Sequence, residues 1–136
     1  MNEEPQPSSE FLVISRGQWD ADASPREIED AIARFYTWLD QNIAAGKMRG
    51  GHRLATSGAI AGRNGQIIDG PYGEGKEVVG GYWFILAADL RAAVELAAQN
   101  PCARFGIFFE IRPLEYERGS VYNRTNETPS AWISAS

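Results

Sequence analysis

The order of the predicted strands and helices restricts the fold of this chain more than any other feature. Residues 11–15 form an apolar run with β-branched members, which predicts a strand, and an amphipathic helix follows over 25–45. Two weak strands come next, followed by an aromatic-rich strand at 78–86, a second helix from Leu90 and a last strand at 106–114. Strand, helix, strand therefore occurs twice, which predicts an α+β domain with both helices on one face of an antiparallel sheet.

Capping and turn residues support these boundaries. Ser24 is followed by a proline and lies three residues before Glu27, an arrangement typical of a helix start. The dipeptide Asn64-Gly65 separates the two weak strands and predicts a hairpin, because both residues tolerate positive φ. The glycine-rich residues 50–53, which contain His52, are interpreted as a loop. The β-α-β-β-α-β order, with one extra strand, indicates a ferredoxin-like arrangement.

Both faces of the predicted sheet carry large apolar side chains. Successive residues of a strand point to opposite faces, and in the predicted strands both sets include apolar or aromatic residues. Phe108, Glu110 and Arg112 of the last strand are assigned to the face opposite the helices. Because two helices cover only one face, we expect a homodimer through the helix-free face, with an aromatic and charged cleft between the two sheets. The alternative is that residues 115–136 fold back over that face.

The length of 136 residues fits one domain. We predict a flexible lead at 1–10, the folded domain at 11–116 and a C-terminal tail at 117–136. The tail is polar and is interpreted as mobile. The alternative is that Trp132 docks on the partner subunit.

The charge pattern argues against nucleic-acid binding. The net charge is −5, and residues 11–114 hold 12 acidic and 11 basic side chains, so the body of the chain has no basic excess. The sequence contains no apolar run long enough to span a membrane, and its first ten residues are acidic and polar. We therefore expect no membrane association and a cytoplasmic location.

The densest motif begins at Asp69. Gly70 and the Gly75-Lys76 pair have the spacing of a phosphate-binding loop, but Glu77 occupies the place of the magnesium-ligating Ser or Thr and a strand follows instead of a helix. We therefore predict no nucleotide site and no cofactor. One histidine and one cysteine supply no typical set of metal ligands, so no metal site is expected, and Cys102 is interpreted as a partly buried hydrophobe.

The same run resembles the signature of the YCII-related, or DGPF-domain, family. The matching segments are Asp-Gly-Pro-Tyr at 69–72, Glu-Gly-Lys-Glu at 74–77, Gly-Gly-Tyr at 80–82 and Glu-Ile-Arg-Pro at 110–113. The resemblance implies a ferredoxin-like subunit that pairs into a dimeric α/β barrel. It also implies, for one branch, a link to alternative sigma factors. For a smaller branch it implies enzymes with a helix-borne histidine and a nearby aspartate, among them a dehydrochlorinase of chlorinated hydroquinones.

Asp69 and His52 are the candidate catalytic residues. Asp69 would act as a general base if the cleft buries it; alternatively its carboxylate accepts backbone N–H groups in the turn that follows. The predicted first helix contains no histidine, so His52 is the candidate that would replace the histidine of the enzymatic branch. The alternative for His52 is a solvent-exposed loop residue.

The candidate ligand-binding residues are Lys76, Tyr82, Phe108, Glu110 and Arg112. Lys76 is expected to bind an anionic substrate or to form a solvated ion pair with a neighbouring glutamate. Arg112 is expected to bind a carboxylate or to pair with Glu110. Tyr82 and Phe108 would stack on an aromatic ligand or pack in the core or the dimer interface.

Three function hypotheses follow. The first is a protein that binds or transforms a small acidic or aromatic molecule in the cleft. The second is a regulatory or protein-interaction module in which the motif has only a structural role. The third is a dehydrochlorinase-like lyase, which requires His52 within hydrogen-bond reach of Asp69.

Overall fold

The computed structural model of the chain describes residues 8–70 and 77–133. Its elements, in chain order, are β1 (Ser9–Arg16), α1 (Pro25–Ala44), β2 (Met48–Arg53), β3 (Gly58–Ala61), β4 (Ile67–Gly70), β5 (Val79–Ala87), α2 (Leu90–Ala97), β6 (Phe108–Pro113) and α3 (Ser130–Ile133). Short 3-10 helices occupy Arg63–Gly65 and Pro101–Phe105.

The main sheet has four strands in the order β2-β5-β1-β6, and each neighbouring pair is antiparallel. This order, with one helix between β1 and β2 and another between β5 and β6, is the ferredoxin-like arrangement, so the predicted fold class is confirmed. The hairpin of β3 and β4 forms a separate two-stranded sheet between β2 and β5 in the chain.

The loop predicted at residues 50–53 is wrong, because these residues belong to the edge strand β2. The sequence indicates a loop here because glycine has a low propensity for strands. The structure gives the reason for glycine here: a Cβ on Gly51 would lie 2.1 Å from the carbonyl oxygen of Tyr82. The strand therefore requires glycine at the point where β2 crosses closest to β5.

The helix cap and the hairpin turn form at the residues for which the sequence predicts them. The Ser24 hydroxyl accepts the Glu27 backbone N–H at 3.1 Å, and the Glu27 carboxylate accepts the Ser24 backbone N–H at 3.0 Å, which completes a capping box at the start of α1. In the hairpin, Asn64 and Gly65 have φ values of +59° and +72°, as the turn between β3 and β4 requires.

The two faces of the main sheet have different environments. The side of the sheet that faces the helices carries the buried core, built around Phe11, Val13, Trp83 and Ile85, and α1 and α2 pack on it. The opposite side, here called the helix-free face, presents half-buried side chains that include Leu12, Ile14, Tyr82, Phe84 and Leu86.

The described part of the tail does not cover the helix-free face. Its large side chains Val121, Tyr122 and Trp132 are 69%, 93% and 65% exposed, respectively. A tail packed against the sheet would bury such side chains. Among the helices of the described residues, none is long and apolar enough to cross a membrane.

Candidate functional site

A cavity of about 510 Å³ lies under α1 at one end of the helix-covered side of the sheet. Its floor is a row of cross-strand partners, in which Arg53 pairs with Gly81, Gly81 with Ser15, and Ser15 with Phe109. We call these four residues the open row. Its two central members, glycine and serine, have almost no side chain to fill the space below the helix. The cavity is therefore a direct result of residue size at two paired positions.

The neighbouring rows of the same sheet are filled. Val13 pairs with Trp83 and with Ile111, and Phe11 pairs with Ile85, which in turn pairs with Met48. We call these six residues the packed rows. Four of their side chains are 3% exposed or less, namely Phe11, Val13, Met48 and Ile85.

Aromatic and aliphatic side chains form the walls of the cavity. The helix α1 contributes Ile32, Phe35, Tyr36 and Leu39, which share one face because they are three or four positions apart. The ring of Trp83 packs edge-to-face with Phe35 and with Phe109, with ring centroids 5.4 Å apart in both pairs. Such aromatic contacts hold the walls in place, and the volume is within the range of small-molecule pockets.

The backbone of β2 leaves no room for a side chain at Gly81. A Cβ at this position would lie 2.8 Å from the carbonyl oxygen of His52. Gly81, the second glycine of the Gly80-Gly81 pair in the sequence motif, thus allows β5 to approach β2 closely, and the same residue leaves the open row unfilled. One sequence feature therefore accounts for both the strand pairing and the cavity.

The polar groups around the cavity do not include a carboxylate among the described lining residues. The side chain of Arg53 is exposed, and within the described residues it makes no ion pair. By contrast, the other arginines of the main sheet, Arg16, Arg49 and Arg112, each contact a glutamate. The edge of the cavity at β2 therefore has positive charge with no described counter-charge.

Two buried donors beside the cavity have no hydrogen-bond acceptor among the described residues. They are the indole Nε1 of Trp83 and the amide Nδ2 of Asn100. The Oδ1 atom of Asn100 accepts the Cys102 backbone N–H at 2.9 Å, which fixes the orientation of the amide and leaves its NH₂ group free. Asn100 also borders a second, more polar cavity, which lies between the N-terminal half of α1 and the 3-10 helix Pro101–Phe105.

Cys102 also lines the cavity but does not offer a reactive thiolate. Burial raises the pKa of the Cys102 thiol to about 11, and its Sγ lies 3.8 Å from the carbonyl oxygen of Ala31, to which it donates. The thiol is therefore protonated at neutral pH and acts as part of the apolar wall. The interpretation of Cys102 as a hydrophobe is confirmed, although it is more fully buried than expected, at 7% exposure.

The structure does not bring the two candidate catalytic residues together by a hydrogen bond. Asp69 lies exposed on β4, opposite Ala59 in the separate hairpin. His52 borders the cavity, on β2, with its ring centroid 6.2 Å from that of Tyr82. Within residues 8–70 and 77–133, neither side chain has a hydrogen-bonding partner that would mark it as an activated acid or base. Their catalytic role stays a prediction.

Four of the five candidate ligand-binding residues lie in the described part of the chain. Tyr82, Phe108, Glu110 and Arg112 share the helix-free face, as the alternation predicts, and Tyr82 also borders the cavity. Lys76 lies outside the described residues, as does the 71–76 part of the motif.

Glu110 is the centre of an ion-pair network on the helix-free face. Its carboxylate accepts a hydrogen bond from Arg16 Nε at 2.7 Å and one from Arg112 Nη1 at 3.1 Å. The hydrogen bond from Arg16, followed by that from Arg112, lowers the pKa of the Glu110 carboxyl below its ordinary value. Arg112 thus pairs with Glu110, which was the alternative to binding a carboxylate. A ligand carboxylate would have to compete with Glu110 for the Arg112 guanidinium.

The sequence pattern did not identify Ser15, Arg53, Trp83 or Asn100 as members of a site. Ser15 and Gly81 form a gap only when they are paired, and their pairing depends on the register of β1 against β5. Asn100 precedes Pro101, and its Oδ1 caps the 3-10 helix that follows. Nothing in the sequence shows that the other end of the same amide is free.

Comparison with protein families gives one match. Residues 11–116 match the family model of the YCII-related domain. Among curated proteins, none matches the chain significantly. Within the described residues, no cluster of three or more His, Cys, Asp or Glu side chains could hold a metal ion. The matched segment covers most of the chain and contains every strand of the main sheet apart from the first two residues of β1. The chain therefore belongs to the YCII-related domain family.

Proposed function

We propose that this chain binds a small aromatic or acidic molecule in the cavity above the open row. The observation that carries the proposal is the pairing of Ser15 with Gly81, which leaves about 510 Å³ under α1 among aromatic walls. An empty space of this size lowers the stability of the fold, because it lacks the packing contacts that a larger residue at position 15 would make. The lack of a described carboxylate in the lining favours a ligand that is neutral or negatively charged.

The residues around the cavity support binding more than they support a particular reaction. Cys102 is protonated, and the ring of His52 lies against Tyr82, a residue of the helix-free face. The described lining therefore offers no pair of groups arranged for general acid–base chemistry. Binding is therefore the activity to test before turnover.

A thermal-shift screen against small carboxylic acids, phenols and quinones tests the proposal. A ligand at one hundred times its Kd stabilises the folded state by ~2.7 kcal/mol, which raises the Tm of a domain of this size by several degrees. Ser15→Leu places a side chain in the cavity and should abolish the shift. Ser9→Leu makes the same exchange at the start of β1, away from the cavity, and should leave the shift unchanged.

Two outcomes would overturn the proposal. If a compound stabilises wild type and Ser15→Leu equally, the ligand binds elsewhere. If no compound stabilises the wild type, the cavity is a packing void and the protein-interaction hypothesis becomes the stronger one.

The helix-free face supports a second copy of the chain as the partner. Tyr82, Phe84 and Leu12 form its aromatic and aliphatic centre, and Phe84 lies beneath the Arg49 guanidinium, 3.9 Å from the ring centroid. An apolar sheet face that the tail does not cover is typical of an interface between copies. Leu12→Lys should therefore convert a dimer into a monomer in sedimentation equilibrium, whereas Leu90→Lys, on the exposed side of α2, should not. A wild-type monomer at micromolar concentration would rule this partner out.

A further inference from the structure

Arg53 and Asn100 come from different parts of the cavity wall. Arg53 is on the edge strand β2, and Asn100 caps the 3-10 helix that leads into β6, the other edge strand. The two edge strands are three strand spacings apart, ~14 Å between backbones. A ligand that contacts both groups would therefore extend across the strands of the sheet.

The Arg53 edge is suited to an anion. Arg53 is the cross-strand partner of Gly81, so its side chain shares the helix-covered side of the sheet with Ser15. No described carboxylate neutralises it, in contrast to the paired Arg16, Arg49 and Arg112. A planar guanidinium with free donors binds carboxylates through two parallel hydrogen bonds.

The Asn100 edge is suited to a neutral acceptor. Asn100 is 3% exposed, and its free Nδ2 has no acceptor among the described residues. A buried donor without an acceptor is unfavourable, and a ligand oxygen at this place would relieve it. Because less than 1 Å² of this nitrogen is accessible, the contact requires a small movement of the cavity wall.

The middle of the cavity is suited to flat rings. The ring of Trp83 packs edge-to-face with Phe35 on one side and with Phe109 on the other, and Tyr36 contributes a further ring from α1. We infer that the ligand is an elongated aromatic anion, whose acidic group binds Arg53 and whose far end offers a carbonyl or similar oxygen to Asn100. This inference rests on the proposed function of the cavity.

Three synthetic probes separate the two ends of the inferred ligand. They are 4′-acetylbiphenyl-4-carboxylate, its methyl ester, which lacks the charge, and 4′-isopropylbiphenyl-4-carboxylate, which replaces the carbonyl with a group of similar shape. Isothermal titration calorimetry on the full chain should show the acetyl acid as the tightest of the three. We expect the ester to bind at least tenfold more weakly, and the isopropyl acid several-fold more weakly.

Two variants assign these differences to residues. Arg53→Gln should weaken the acetyl acid about tenfold and leave the ester unchanged, while the matched control Arg63→Gln, in the turn of the β3–β4 hairpin, should change neither. Asn100→Asp keeps the oxygen that caps the 3-10 helix and removes the free donor, so it should remove the preference for acetyl over isopropyl. The Tm of each variant shows that it is folded. If Asn100→Asp fails to fold, the preference of the wild type for acetyl over isopropyl decides that end.

The outcomes distinguish this inference from the proposed function. If the ester binds as tightly as the acid, or if Arg53→Gln binds the acid as the wild type does, the anionic end is wrong. If acetyl and isopropyl acids bind equally to the wild type, the acceptor end is wrong. If none of the three probes binds while compounds of the thermal-shift screen do, the ligand class is wrong and the cavity remains a binding site. If nothing binds in either experiment, both proposals fail.

Discussion

The packed rows and the open row lie side by side on the same two central strands, yet one makes a core and the other a cavity. Val13 faces Trp83 in the packed rows, and two residues further along each strand Ser15 faces Gly81 in the open row. Both follow the same alternation along these strands, but α2 contributes Ala93 and Ala97 to the packed core, whereas the α-helical residues that line the cavity come from α1. The small side chains of Ser15 and Gly81 therefore leave space under α1.

Three buried donors lack acceptors among the described residues. Two of them, Trp83 Nε1 and Asn100 Nδ2, lie beside the cavity, and the third is Trp38 Nε1, which does not line it. A buried donor left in this way costs about 1–3 kcal/mol. A ligand in the cavity would bring an acceptor to the side of the two donors that border it.

The largest expected effect is a difference in stability between two Ile→Ala variants, one in the packed rows and one beside the cavity. Ile85→Ala in the packed rows should lower the free energy of unfolding by about 2–5 kcal/mol, because the side chain is fully buried. Ile32→Ala, which removes the same atoms beside the cavity, should cost less than about 2 kcal/mol, because part of its surroundings is already empty. Urea denaturation of both variants measures the difference. Equal losses would mean that the cavity is filled in solution.

A second contrast adds volume instead of removing it. Val13→Phe should destabilise the protein by about 1–3 kcal/mol, since the packed rows have no room for a larger side chain. Ser15→Leu should raise the free energy of unfolding by about 1 kcal/mol, because its methyl groups enter existing space. Urea denaturation of both variants measures whether the free energy of unfolding falls for Val13→Phe and rises for Ser15→Leu. A strongly destabilised Ser15→Leu would argue against the open row as described.

The smallest effect concerns the ion-pair network on the helix-free face. The pKa of Glu110 is lowered in the folded state, so the stabilisation it gives is present above the unfolded pKa of about 4.3 and is lost as the pH falls through the folded pKa. Because the carboxylate is 30% exposed, the gain is no more than about 1 kcal/mol.

Unfolding of wild type and Glu110→Gln between pH 7 and pH 3 measures this contribution. The two stabilities should differ at pH 7 and converge at low pH. The variant should also keep ligand binding at the cavity, since Glu110 lies on the other side of the sheet. A loss of binding in Glu110→Gln would move the site toward the helix-free face.

The parts of the fold set by local chemistry were predictable from the sequence. The capping box at Ser24, the turn at Asn64-Gly65 and the alternation along β5 and β6 each depend on residues close in the chain. The strand β2 was not predictable, because Gly51 is favoured there by its approach to Tyr82 rather than by any local preference.

The cavity was not predictable for a similar reason. Its floor depends on which residue of β1 faces which residue of β5, and a shift of one position would place Ser15 on the helix-free face. The sequence indicated a cleft for a small aromatic or acidic molecule but assigned it to the helix-free face, between two copies. That cleft stays a prediction, while the cavity of the single chain lies on the opposite side of the sheet.

The four tryptophans of the chain provide the most direct test of the account. Trp19 and Trp83 line the cavity, whereas Trp38 is not among its lining residues and Trp132 is 65% exposed in the tail. In a ¹⁵N-tryptophan-labelled sample, titration with 4′-acetylbiphenyl-4-carboxylate, or with any hit of the thermal-shift screen, should move the indole N–H resonances of Trp19 and Trp83. Those of Trp38 and Trp132 should stay in place. Binding that leaves the Trp19 and Trp83 resonances unmoved would contradict a ligand site above the open row.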